Sequence, residues 1–253
     1  MLRGKRVIIG MLVAGFLVAM FGFGFSQEVS IPEYRCKKIK EKVKIDGLLD
    51  EKVWENAEIV NFVDVEKATL PSFPTQAKML WDNEHLYIGF KCDDVDVWAI
   101  HREKDFPLFE DEVVEVFIDP DGDEKDYIEI EVNSYNTVLD LFVPIPGHGA
   151  SGWRREALWD AKGLKTAVHI EGTINDWTDT DSYWSVEIAI PWENFSVAKA
   201  ENLPPKKGDV WRINLCHNES PFRQKNTEYT AWSPTGAINF HVPKKFGKVI
   251  FED

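Results

Sequence analysis

The chain has 253 residues, 44% of them hydrophobic and 13% aromatic, with 10 Trp and 3 Cys, enough apolar mass for one sizeable domain. Formal net charge is −14, and Arg3, Lys5 and Arg6 are the only charges among the first 26 residues, so the rest of the chain carries 26 basic against 43 acidic groups, a net of −17. A body so acidic offers little of the basic patch that phosphate backbones and anionic membrane surfaces demand, which argues against nucleic acid and leaves a neutral ligand, a cation or another protein.

At the N-terminus, residues 7–25 (VIIGMLVAGFLVAMFGFGF) hold no charged or strongly polar side chain and follow a short basic stretch. This is the pattern of an export signal, with Gly24-Phe25-Ser26 placing small residues where a signal peptidase reads, hence cleavage before Gln27. About 19 apolar residues also just span a bilayer, so an uncleaved anchor is the alternative, and the membrane is a partner only in that case. No Cys stands near the cleavage point to carry a lipid. Residues 1–26 are therefore expected to be a signal peptide or anchor, 27–40 a short extension, and 41–253 a folded domain that is secreted or otherwise extracytoplasmic.

From residue 41 onward the pattern is all-β. A short helix is expected at 49–57, then strands at 76–81 and 86–92 joined by the turn Asp82-Asn83-Glu84-His85. Strands follow at 112–119 and 127–133, the second alternating Ile128, Ile130 and Val132 with Glu129, Glu131 and Asn133, an unusually acidic polar face. Further strands are expected at 137–143 and 165–172, and at 183–190, where Trp184, Val186, Ile188 and Ile190 alternate with Tyr183, Ser185, Glu187 and Ala189. The last are 210–217 and 247–252, and the Pro-bearing stretches 71–74, 144–152 and 202–208 read as long loops. Nine short strands between turn signals predict one antiparallel, jelly-roll-like β-sandwich. Cys36, Cys92 and Cys216 show no metal-ligand spacing; one disulfide with a leftover thiol and three buried thiols both fit.

Six strings in order resemble the family 9 carbohydrate-binding module and its relatives in the wider DOMON-like group of β-sandwiches. They are KIDGLLDEKVW (44–54), MLWDNEHLYIGFKCDD (79–94), DEVVEVFIDPDGD (111–123), WSVEIAIPWENF (184–195), GDVWRINLCHNE (208–219) and FGKVIFE (246–252). The resemblance covers 44–252 and implies a non-catalytic module for a poly- or oligosaccharide. Asp46-Gly47 makes sense as a turn, with Trp54, Trp81, Trp184, Trp192 and Trp211 as scaffold.

Neutral sugars need aromatic faces against their C–H surfaces and polar side chains for their hydroxyls. The two Trp positions that sandwich the sugar in the family fall here on Phe109 and on Phe240 or its neighbour His241. Polar contacts fall on Glu115, Glu131, Asn133 and Asn218, and Glu131 stands where sugar-binding members carry Arg. Trp153-Arg154-Arg155 is a basic doublet beside a loop aromatic; with Trp159, Trp177 and Trp232 as further loop aromatics, two readings stand, that this loop restores the lost donor or that its Trp residues pack it onto the sandwich.

Carboxylates cluster in two places, Asp93, Asp94 and Asp96 in one loop and Asp119, Asp121, Asp123 and Asp126 in another. Calcium takes six to eight oxygens, which such loops supply, so Asp93, Asp94, Asp96, Asp119, Asp121 and Asp123 are candidate ligands, and the resemblance implies a structural calcium. A solvated acidic loop is the plainer alternative. The residues also leave other classes open. Glu129 and Glu131 lie about 7 Å apart along one strand face, as a hydrolase pair does. Met79 and six His offer axial ligands for a haem without a c-type attachment motif, and the aromatic loops suit an envelope interaction module.

Overall fold

The computed structural model describes residues 30–144, 152–220 and 227–253. The expected signal segment, 1–26, lies outside them. Among the described residues thirteen strands run in chain order as β1 (Glu33–Lys38), β2 (Val60–Asn61), β3 (Val63–Asp64), β4 (Thr75–Trp81), β5 (His85–Asp93), β6 (Val113–Asp119) and β7 (Tyr127–Asn133). Then come β8 (Val138–Val143), β9 (Lys165–Glu171), β10 (Tyr183–Pro191), β11 (Val210–Glu219), β12 (Glu228–Ala231) and β13 (Gly247–Glu252). The nine expected strands are all present, their ends displaced by no more than two residues. The expected helix at 49–57 is a single 3-10 segment, Lys52–Asn56.

All strands belong to one sheet, in the order β8-β7-β6-β11-β13-β1-β4-β5-β10-β9, with β12 beside β11 and β2 beside β4. The sheet curls over so that its two halves face each other as a sandwich. One half supplies Val114, Val116, Ile118, Ile128, Ile130, Val132, Ile213 and Leu215 to the core, and the other Met79, Ile88, Phe90, Trp184, Val186 and Ile188. The scaffold tryptophans Trp54, Trp81, Trp184, Trp192 and Trp211 are all buried, and Trp192 meets Trp81, Trp211 and Phe251 edge-to-face.

Two expectations are corrected. The stretch 27–40 is not merely an extension, because β1 lies inside the sheet, pairing β13 on one side and β4 on the other, and burying Tyr34 and Cys36. Both pairings are parallel, so the sandwich is antiparallel everywhere except around this one strand. Cys36, Cys92 and Cys216 are three separate buried thiols, which settles the cysteine alternatives.

Each half of the sheet has an outward face that chain from outside its strands covers. Over β4, β5 and β10, the segment 39–57 packs Ile39, Val43, Val53 and Trp54 on Leu80, Tyr87 and Ala189. Glu187 points into this layer and is fully buried. Its Oε2 accepts the backbone N–H groups of Asp46 and Gly47, each at 2.9 Å, and its Oε1 accepts the Trp54 indole N–H at 2.9 Å. The opening string 44–54 is thus a clasp around one carboxylate. Gly47, with φ of +87°, lies so close to the Val168 and His169 backbone that an added Cβ would meet it at 2.7 Å.

Over β6, β7 and β8, a second apolar layer joins Val113, Phe117, Tyr127, Leu139 and Leu141 to Leu108, Phe240 and Phe246 from the covering loops. The candidate site lies in this layer.

Candidate functional site

The register of three strands sets the floor. Glu115 on β6 pairs Glu131 on β7, Glu129 is the next outward residue along β7, and Asn218 on β11 stands opposite Val113. Period-2 geometry puts the three glutamates on the same face, and one carboxylate oxygen from each lies within 4.8 Å of the others. Phe109, in the 3-10 segment Leu108–Glu110, and Trp153, in the short helix Trp153–Glu156 (α1), meet edge-on above them with ring centroids 6.3 Å apart. Tyr229 on β12, Leu141 on β8 and the run Ile238, Asn239, Phe240 and His241 complete a cleft of about 340 Å³.

The acidic face of β7, with Glu115 beside it, is buried: Glu115 is 3% exposed, Glu129 2% and Glu131 1%. Burial pushes the Glu129 carboxyl up to about 8, and burial together with neighbouring carboxylates drives Glu115 and Glu131 well above the ordinary range. Glu129 Oε2, Glu131 Oε2 and Asn218 Oδ1 receive no hydrogen bond. His241 Nδ1 lies 2.7 Å from the Tyr127 hydroxyl and 3.8 Å from Glu129 Oε2.

Of the residues that the sequence singles out, Phe109, Glu115, Glu131, Trp153, Asn218 and Phe240 line the cleft. Asn133 does not. It is fully buried at the end of β7, where its Nδ2 donates to the His101 carbonyl and Asp111 Oδ2 while its Oδ1 accepts the N–H groups of Tyr135 and Thr137. Its role is to tie down the turn after β7. Arg154 is exposed and lays its guanidinium over the Trp153 ring, 4.8 Å from the centroid, so it buttresses the aromatic from outside rather than replacing a donor within. Trp232 packs on Gly247, Trp159 packs against the core and Trp177 is 65% exposed, so Trp153 alone of the loop tryptophans reaches the cleft. Glu129 is a lining residue visible in advance through the strand period, whereas Tyr229, Leu141 and Ile238 carry no local sequence signal and are placed by tertiary packing.

The acidic loops do not converge as expected. Asp93 is exposed at the end of β5. Asp94 instead meets Glu112 and Glu219, at the adjoining ends of β6 and β11, in a buried group whose ligand atoms lie within 4.8 Å of one another. Asp96 is buried in the same loop, and its N–H donates to Asp94 Oδ1. Asp94 Oδ2, Glu112 Oε1 and both Glu219 oxygens receive no hydrogen bond. Beside it, His217 Nε2 is 3.7 Å from Glu219 Oε2, and burial pushes that imidazole down to about 3, which leaves it neutral. Burial raises Asp94 to about 6 and holds Glu112 and Glu219 well above the ordinary range. Asp119, Asp121 and Asp123 form a separate group beyond the far end of β6. There Asp119 accepts the N–H groups of Gly122 and Glu124, and Lys125 and Lys199 each reach Asp123 at 3.7 Å.

A family profile described as carbohydrate family 9 binding domain-like matches residues 45–253. The chain belongs to that family. Endo-1,4-beta-xylanase A of Thermoanaerobacterium saccharolyticum is 25% identical over 206 residues, which are 81% of this chain and 15% of the xylanase. Exoglucanase XynX of Acetivibrio thermocellus is 23% identical over 210 residues, 81% of this chain and 16% of the exoglucanase. The chain thus spans less than a fifth of these two curated relatives. Among solved structures, a candidate carbohydrate-binding protein of Bacteroides uniformis ATCC 8492 superposes with a TM-score of 0.67 at 19% identity, covering 88% of this chain and all of that one. A carbohydrate binding module family 9 from Caldicellulosiruptor kristjanssonii, in complex with cellotriose, superposes at 0.59 and 18% identity, covering 87% and 93%. These likenesses bear on the fold: the family 9 module is a β-sandwich of this form.

Proposed function

We propose that the chain is an exported, non-catalytic sugar-binding module whose cleft between Phe109, Trp153 and Phe240 receives the end of an oligosaccharide, with a structural calcium held by Asp94, Glu112 and Glu219. The observation that carries the reading is the convergence of Phe109, Glu115, Glu131, Asn218 and Phe240, widely separated in sequence, on one cleft with aromatic walls and a polar floor. The cellotriose and glucose complexes of the C. kristjanssonii module support a glucan-like ligand. The apolar run at 7–25 and family membership support export.

Geometry speaks against hydrolysis. Glycosidases flank the scissile bond with two carboxylates. Here all three glutamates rise from the same sheet face and approach a ligand from one side. Titration calorimetry with cello- and xylo-oligosaccharides should give saturable one-to-one binding that Trp153→Ala and Phe109→Ala each weaken by about tenfold, with no release of reducing ends. Absence of binding across the panel overturns the reading.

The buried cluster fits a hard cation because four of its oxygens receive no hydrogen bond and the described imidazole beside it, His217, is neutral. Asp94, Glu112 and Glu219 would hold the ion, which would pin the ends of β5, β6 and β11 together. Chelation should lower the melting temperature by about 5–10 °C, reversed by calcium, as expected for a site saturated about a hundredfold over its Kd. The double variant Glu112→Gln, Glu219→Gln should lose the response and Asp123→Asn keep it. An unchanged melting temperature in chelator ends the calcium reading.

A further inference from the structure

Resting on the sugar-site reading above, the cleft has a property that a neutral sugar does not satisfy. Its floor gathers three carboxylates within 4.8 Å, and among the described residues that line it none is Lys or Arg. Asn218 adds a further acceptor: it is 4% exposed, lines the cleft and keeps Oδ1 without a donor, as Glu129 and Glu131 each keep one oxygen. Hydroxyls of a neutral sugar can donate to such acceptors but bring no positive charge that would let carboxyls so crowded ionise away from water. An ammonium group brings a positive charge and three donors in one compact head. The walls suit the same ligand, because Phe109, Trp153, Tyr229 and Phe240 line the cleft and aromatic rings both cover C–H surfaces and attract a desolvated cation. At about 340 Å³ the cleft stands at the small end of the range for ligand pockets, about 300–1,000 Å³, the scale of one sugar ring rather than a chain lying along a groove.

We propose that this cleft selects a sugar bearing a free protonated amine, such as a glucosamine residue at a chain end, over its neutral and N-acetylated counterparts, with the ammonium among Glu115, Glu129, Glu131 and Asn218 Oδ1. The N-acetyl group removes the charge and two of the donors while adding bulk, so the three ligands separate charge from shape.

The test is titration calorimetry of the full chain at neutral pH with glucosamine, N-acetylglucosamine and glucose, each with and without calcium. The expected result is one-to-one, saturable binding of glucosamine about tenfold tighter than either counterpart, a margin of one decade. Glu131→Gln should bring the three within about twofold of one another while preserving a near-ultraviolet circular dichroism spectrum. If that variant fails to fold, intermolecular nuclear Overhauser contacts between the wild-type Trp153 ring and the glucosamine protons supply the second measurement. Four outcomes overturn the proposal. Glucose binding as tightly as glucosamine rejects the amine preference and leaves the sugar-site reading standing, whereas silence from all three, and from the oligosaccharide panel, rejects both. Non-saturating, multi-site attachment of glucosamine assigns the effect to general attraction by an acidic surface. Binding in chelator that vanishes in calcium gives the carboxylates to a metal ion.

Discussion

Glu187 and Glu131 are matched in position and opposite in circumstance. Each stands mid-strand on an outward sheet face, one in either half of the sandwich, and each is covered by chain from elsewhere in the sequence. Glu187 receives three N–H donors from the 44–54 clasp, which oppose the upward push of burial on its carboxyl. Glu131 has two glutamates for neighbours and an oxygen with no donor at all. A buried carboxylate with its donors built in is part of the scaffold, whereas one left short has room for something the protein does not contain.

The largest effect expected from breaking this contrast is at the clasp. Glu187→Ala strands two backbone N–H groups and an indole N–H, and charged hydrogen bonds are worth about 1.5–3 kcal/mol each, so the midpoint of urea unfolding should fall by several kcal/mol in stability terms. At the cleft the sign reverses. Glu131→Gln replaces a crowded carboxyl with an amide that can donate to its neighbours, and should stabilise the ligand-free protein by about 1–2 kcal/mol at pH 8 in the same assay. An equal loss at both positions would erase the distinction between them.

A smaller effect sharpens the contrast through pH. Burial raises Glu129 from 4.5 to about 8 and Asp94 from 3.8 to about 6, so the folded chain holds protons that the unfolded chain releases. Their contribution is complete at about pH 4 and is lost as pH rises through 6 and then 8. In chelator and without sugar, the melting temperature should therefore decline from pH 5 to pH 8, and Glu129→Gln should flatten the upper part of that decline.

Much of the fold was legible because strand period and turn chemistry are local: Trp184, Val186, Ile188 and Ile190 could face the core in only one phase. What escaped was whatever non-local packing decides. The strand Glu33–Lys38 is charged on most of its face and is a strand only because β13 and β4 flank it. Alternation marks the polar side of β7 but cannot reveal that Phe109, Trp153 and Phe240 roof it over. Phe109, Glu115, Asn218 and Phe240 were legible through family likeness rather than through any local pattern. Asn133 was misplaced because a residue's parity fixes its face but not its height along the strand. Asp94 was legible as an acid in a loop, yet its partners Glu112 and Glu219 stand at strand ends and come into view only when β6 and β11 are in register.

The parallel wedge of β1 carries a consequence for how the chain is made. Arg35 on β1 pairs with Glu252 on β13 at 2.6 Å, 217 residues further along. Contacts of such long range close slowly, because the entropy of the intervening loop is lost before any pairing repays it. β1 must wait for β13, so the middle of the sheet closes only after the chain between them has been made. Removing residues 247–253 should therefore take one neighbour from each of β1 and β11 in the middle of the sheet, rather than merely fraying an edge.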